Sequence, residues 1–161
     1  MHWKASRALR CFTTSTCRWQ YSSSRPDFLR LRPNAPIDVH PEVEHALATN
    51  HPVVALESTI ITHGMPQPIN LDTARSVQQI VRSTGAIPAT IGVLGGRVKI
   101  GLKPPELEYL ADTKSNTSIL KLSRQDIGPA IAQKRDGGTT CSATLTFAAW
   151  AGIKASTFGC C

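Results

Sequence analysis

From residue 34 onward, apolar positions recur alternately at helical and strand spacing. In PEVEHALAT, Pro41 to Thr49, Val43, Ala46 and Leu47 share a helical face, and Asn50, His51 and Pro52 end the element. Val53 to Leu56 is a continuous apolar run, the pattern of a short strand covered on both faces. Glu57 to Pro68, ESTIITHGMPQP, reads as a loop leaving the carboxyl end of that strand. Asn70 to Thr84 predicts a helix with Leu71, Ala74, Val77 and Val81 on one face, stopped by Gly85. Ala86 to Leu94 and Val98 to Ile100 predict two strands joined through Gly95 and Gly96. Pro104 and Pro105 open a helix through Ala111, because proline is tolerated in a first turn.

Beyond it, Ser118 to Leu122 reads as a short strand, and Ser123 caps a helix predicted from Arg124 to Arg135. Gly137 and Gly138 break the chain before a helical stretch from Thr139 to Ala151, and Ile153 begins a further strand. No repeat or heptad is visible, so neither a solenoid nor a coiled coil is supported. Helix and strand alternation predicts an α/β fold, a layered α/β/α sandwich around a central, mostly parallel sheet.

A length of 161 residues with 41% apolar and 18% charged positions suits one core-bearing domain and excludes a large multidomain enzyme. No apolar run approaches the roughly 20 residues of a membrane-spanning helix. The net charge of +7 changes the picture only through its position. Residues 1–33 hold seven basic residues against Asp27 alone, whereas residues 34–161 carry 11 basic and 10 acidic residues and are nearly neutral. The first segment is rich in Arg, Ser and Thr, and on a helix Ala5, Ala8, Leu9 and Phe12 would face away from Lys4, Arg7 and Arg10. That is the composition of a mitochondrial presequence. The alternatives are a disordered basic tail with no address, on a cytoplasmic protein, or a wrongly assigned start codon. Residues 34–161 then form the domain. A basic RNA-binding protein is disfavoured because the body has no continuous positive patch with interleaved aromatics, and neither nucleic acid nor membrane is an expected partner.

Cys11, Cys17, Cys141, Cys160 and Cys161 contain no CxxC pair, so neither a disulfide framework nor a cysteine metal site is expected. On local evidence Cys141 reads as a small buried apolar residue. Glu57 directly follows an apolar strand, and a carboxyl group at the rim of a core is partly desolvated, which suits proton donation. Its structural alternative is an ion pair or a backbone cap. His63 before Gly64-Met65-Pro66 reads as a hydrogen-bonded loop anchor, since no second ligand stands at metal spacing. Lys121, with Ser123 and Arg124 at a helix start, suits a phosphate, or else is a solvent-facing strand lysine. Asp136 to Thr140, DGGTT, suits a small anion nest or a helix cap, and lacks the lysine of a Walker loop.

Four segments carry a resemblance: VVALESTIITHGMPQPINLDTA (Val53 to Ala74), GAIPATIGVLGGRVKIGL (Gly85 to Leu102), KLSRQDI (Lys121 to Ile127) and GGTTCSATLTFAAWAGIK (Gly137 to Lys154). In this order they resemble the amino-terminal portion of the pseudouridine-5'-phosphate glycosidase family, also called the indigoidine synthase A family, and ALESTIITHGMP is the most diagnostic word. The family reversibly cleaves the carbon-carbon glycosidic bond of pseudouridine 5'-phosphate to uracil and ribose 5-phosphate. Because the leaving atom is carbon, the base carbon itself must be protonated and the sugar opened. The resemblance implies that Glu57 is the proton donor, that Lys121 contacts substrate at the phosphate, and that Cys141 is a substrate-contacting position acting through its backbone. It further implies a homotrimer and a divalent metal, usually manganese.

The family continues past the AGIK word into a glycine-rich segment, an aspartate metal ligand and a lysine that attacks the opened sugar. None has a counterpart here, and Lys154 belongs to the AGIK word. The resemblance therefore implies a truncated form carrying less than half of the catalytic domain, inactive by itself, whose incomplete sheet is expected to leave Val53 to Leu56 and Ile91 to Leu94 partly uncovered, with poor solubility as the consequence. The alternative is a noncatalytic fragment that binds phosphate or modulates a full-length partner.

Overall fold

Ile87–Leu94 forms β3, the strand on which the rest of the sheet is assembled. Gly95 and Gly96, both at positive φ, turn the chain into β4, Arg97–Ile100, which pairs antiparallel with the second half of β3. β1, Ile37–Val39, lies parallel to β4. On the other edge of that half, β6 (Gly137–Thr139) pairs antiparallel with Gly92 and Val93, and β5 (Leu120–Leu122) lies parallel to β6. The first half of β3 pairs in parallel with β2, Val53–Leu56, and β2 in turn with β7, Ala155–Ser156. Most pairings are parallel, as the sequence predicts. Ile87 donates its N–H to the Pro52 carbonyl on the β2 edge, so alternation directs the nitrogen of Pro88 to the opposite edge, where no strand pairs. Proline is harmless there because no donor is needed.

Alternation along the strands splits the core into two layers. Ala55, Ala89, Ile91, Val93, Val98 and Ile100 face α1 (Pro41–Ala48), α4 (Ile127–Ala132) and α5 (Cys141–Ala151), which contribute Val43, Ile127 and Phe147. The opposite face carries α2 (Ile69–Ser83) and α3 (Pro104–Ala111). There Ala74, Leu107 and Leu110 pack with Leu102, and Val81 packs against Leu56. This is the three-layer α/β/α arrangement. The computed structural model describes residues 35–156, so the presequence expected in residues 1–33 and the terminal Cys160 and Cys161 lie outside the described residues. Among the described residues no helix is long and apolar enough to cross a membrane.

Several expectations are corrected. β1 was not foreseen, because three residues between Pro36 and Pro41 give almost no periodic signal. The loop after β2 contains a π-helical turn, Ile60–Gly64. The helix predicted from Arg124 to Arg135 is a 3-10 turn, Arg124–Asp126, followed by α4, which ends at Ala132. The Ser123 N–H donates to the Asp126 carboxylate at 2.9 Å and tightens that turn. Gly137 and Gly138 do not break the chain; they are strand residues. A Cβ at 137 would overlap the Leu122 side chain and one at 138 would overlap Thr62, so glycine lets β5 and the π-turn close against β6. Of the strands expected to lie partly uncovered, Val53, Ala55, Leu56, Ile91 and Val93 are buried, whereas Val54 and Leu94 remain partly exposed. Apolar exposure falls instead on α2, where Ile69 is 56% and Ile80 63% exposed.

Candidate functional site

β2 and β6 share one edge of β3 and run toward each other, so their carboxyl ends meet head-on beside Ile91. Thr90 presents its carbonyl to Gly101 and Leu102 on the β4 side, which directs the Ile91 carbonyl into the gap between the two strand ends. No ladder N–H reaches it. Instead the Ser58 hydroxyl donates to it at 2.6 Å and the Thr139 hydroxyl at 2.7 Å. The Thr139 N–H donates to Ser58 Oγ at 2.9 Å, the Ser58 N–H to the Thr139 carbonyl at 3.2 Å, and Thr144 Oγ1 to Thr139 Oγ1 at 2.9 Å. All three hydroxyl residues are buried and every polar group named has a partner, as buried polar groups require.

That junction places the residues on either side of it. Glu57, last before Ser58, is half-buried, and Cys141, first residue of α5, donates its thiol to Glu57 Oε2 at 3.0 Å. The reading of Cys141 as a small buried apolar residue is thus corrected: it is half-buried and polar in its use. Thr140 donates its hydroxyl to the Leu122 carbonyl at 2.9 Å and so makes no side-chain cap at the start of α5. Arg124 donates its N–H to Ser142 Oγ at 3.3 Å, and the Thr140 N–H donates to Leu122, so the ends of β5 and β6 are tied side by side. Ser123, through its hydroxyl and then its amide, holds the Asp126 carboxyl below the ordinary range.

Lys121 sits opposite Gly138 in the β5–β6 register, which puts its side chain on the face where Thr62 covers Gly138. It is exposed and is not in hydrogen-bond contact with Glu57 or Cys141. The structure therefore joins Glu57 to Cys141 directly and sets Lys121 on the strand beside them. His63 shares a 2.7 Å hydrogen bond with Thr62 Oγ1, the loop anchor that the sequence suggests. The DGGTT segment is no nest: its glycines pair in the sheet, and Asp136 accepts from the Gly95 N–H and the Tyr109 hydroxyl at 2.6 and 2.7 Å. Sequence reasoning missed Ser58 and Thr139 as a pair, since nothing periodic links residues 81 apart.

A sheet whose strand ends converge on an acid beside a helix start defines an α/β protein with a candidate ligand site at strand carboxyl termini. The chain matches the family described as indigoidine synthase A like protein over residues 42–160, and belongs to that family. It is 54% identical over 121 residues to a pseudouridine-5'-phosphate glycosidase of Hahella chejuensis, covering 75% of this chain and 39% of that protein. It is 57% identical over 118 residues to the protein of the same name from Dinoroseobacter shibae, covering 73% and 38%. With that of Deinococcus radiodurans identity is 50% over 132 residues, covering 82% and 41%. This chain thus spans about two-fifths of the length of these curated relatives. Among solved structures, the prealnumycin C-glycosynthase AlnA in complex with ribulose 5-phosphate is 41% identical with a TM-score of 0.66, over 76% of this chain and 38% of that one. An indigoidine synthase A-like protein of Thermotoga maritima is 27% identical with a TM-score of 0.67, over 78% and 39%.

The manganese implied by the resemblance does not find a ligand set here. Among the described residues no group of three or more His, Cys, Asp or Glu converges, and Glu57 with Cys141 offers one hard and one soft donor.

Proposed function

We propose that this chain supplies the proton-donor portion of a site that cleaves the carbon-carbon glycosidic bond of pseudouridine 5'-phosphate, giving uracil and ribose 5-phosphate. The observation that carries this reading is the contact between Glu57 and the first residue of α5 where two strand ends meet, in a chain 50–57% identical to proteins of that name. Glu57 delivers a proton to the base carbon as it parts from the sugar, and in the synthetic direction it takes that proton back. The α5 amino terminus lies beside the leaving base, with Cys141 touching substrate through its backbone. Lys121 neutralises the phosphate. The manganese ligand and the lysine that captures the opened sugar belong to the part of the family's length that this chain does not span. The isolated chain is accordingly inactive, because one acid without a nucleophile cannot complete a two-stage reaction.

The test is uracil release from pseudouridine 5'-phosphate with manganese present, run on this chain and on the Hahella chejuensis relative. The relative turns over and the 161-residue chain does not. Glutamine at the relative's glutamate aligned with Glu57 lowers its rate about 10²–10⁴-fold, and comparable turnover by the short chain overturns the assignment. The second reading, a noncatalytic, phosphate-binding or partner-modulating role, would show as co-purification with a full-length homologue and substrate binding without turnover. Assembly as a homotrimer and mitochondrial import through residues 1–33 are parts of the same proposal. A fluorescent fusion of residues 1–40 reads the second, and a purely cytosolic signal removes it.

A further inference from the structure

Ser58 and Thr139 touch neither solvent nor Glu57's carboxylate, yet each adjoins the site along the chain. Ser58 follows Glu57, and Thr139 precedes Thr140 and Cys141. Their two hydroxyls converge on one carbonyl, that of Ile91, at 2.6 and 2.7 Å, and their backbones are cross-bonded to each other. A head-on meeting of strand ends has no ladder of its own, so beyond the pairing of each strand with β3 the gap is bridged by one backbone bond, from the Ser58 N–H to the Thr139 carbonyl, and by these side-chain bonds.

We propose that Ser58 and Thr139 are positioning residues: a two-hydroxyl clamp on the Ile91 carbonyl fixes the gap between β2 and β6, and so the 3.0 Å separation of Glu57 and Cys141. The catalytic meaning of the clamp rests on the reading of Glu57 as the proton donor. Alternatives in the two chain segments differ in what they remove. Ser58→Ala and Thr139→Val delete one hydroxyl each, whereas Thr139→Ser keeps it.

The clamp is tested in the full chain by a double-mutant cycle, reading iodoacetamide alkylation of Cys141 by peptide mass spectrometry at about pH 8. A carboxylate beside the sulfur opposes the thiolate, so Glu57→Gln accelerates alkylation of Cys141 by about fivefold. In the Ser58→Ala and Thr139→Val backgrounds that acceleration falls below about 1.5-fold, and in Thr139→Ser it stays near fivefold. A merely structural role lowers thermal stability and leaves the fivefold ratio intact, which overturns the clamp. If both deletions fail to fold, hydrogen exchange of the unmutated chain decides: the Ser58 and Thr139 amides exchange as slowly as the core amides of β3, and exchange about tenfold faster overturns it. A fivefold ratio that persists in the Ser58→Ala and Thr139→Val backgrounds, with glutamate-dependent uracil release intact in the relative, rejects the clamp alone. A ratio that falls as expected, with no effect of that glutamate on turnover, rejects the reading of Glu57 alone.

Discussion

Gly138 shows how a missing side chain organises the site. Its Cα lies between Lys121 on β5 and Gly92 on β3, and the π-turn after β2 lays Thr62 over it. Gly138→Ala is expected to lower stability by about 1–3 kcal/mol in urea unfolding, because Thr62 must leave its hydrogen bonds to Ser58 and His63 to make room. Combined with Thr62→Ala, the loss is smaller than the sum of the two single effects. At this scale the sequence was partly legible. Glu57 stood out because it ends an apolar run, a local signal. Cys141 did not, since its partner lies 84 residues away and small apolar cysteines in alanine-rich helices are common. Gly137 and Gly138 read as a break because glycine carries no strand propensity, and only the neighbours that fill their space explain them.

Among elements, the short strands are held by their partners more than by their own propensity. β1 has only three residues, and Asp38 at its centre accepts from the Arg97 guanidinium at 2.9 and 2.6 Å and from Lys99 Nζ at 2.8 Å. The Arg97 hydrogen bonds, followed by Lys99, hold the Asp38 carboxyl well below the usual carboxylate range. A depressed folded-state pKa contributes stability that is present above the unfolded value near 3.9 and lost as pH falls through the folded one. Asp38→Asn is therefore expected to cost about 0.5–1 kcal/mol at neutral pH, a modest figure because the pair is part-exposed. In denaturant titrations the gap between the two proteins closes as pH drops below about 4. Strand β1 was invisible for the same reason that it is stable here: its stabilisation comes from residues on β4, sixty positions further on, and not from a periodic pattern of its own. By contrast Val53–Leu56 and Pro104–Ala111 were legible almost to the residue, since a four-residue apolar run and a Pro-Pro helix start are local signals.

For the molecule as a whole, helices cover both faces of the sheet, and among the described residues the most exposed large apolar side chains, Ile69 and Ile80, lie on the outer side of α2 together with Val77, with Leu145 on α5 and Tyr109 on α3 exposed apart from them. Exposed apolar stripes favour association. Ile69→Lys with Ile80→Lys is expected to raise the solubility limit and reduce sedimentation of large species at high concentration. It moves Tm by no more than about 3 °C, because neither side chain is part of the core. The same architecture also has a temporal side. Glu57 leaves the ribosome 84 residues ahead of Cys141. At a typical synthesis rate of about 5–20 residues per second, that separation lasts roughly 4–17 s. Once Ile91 has followed, the strand bearing the acid can fold onto β3 and Ser58 can take up its bond to the Ile91 carbonyl, while the place of β6 beside it stands vacant until Thr139 emerges, so a nascent chain exposes an open strand edge that chaperones or a stray strand can occupy first.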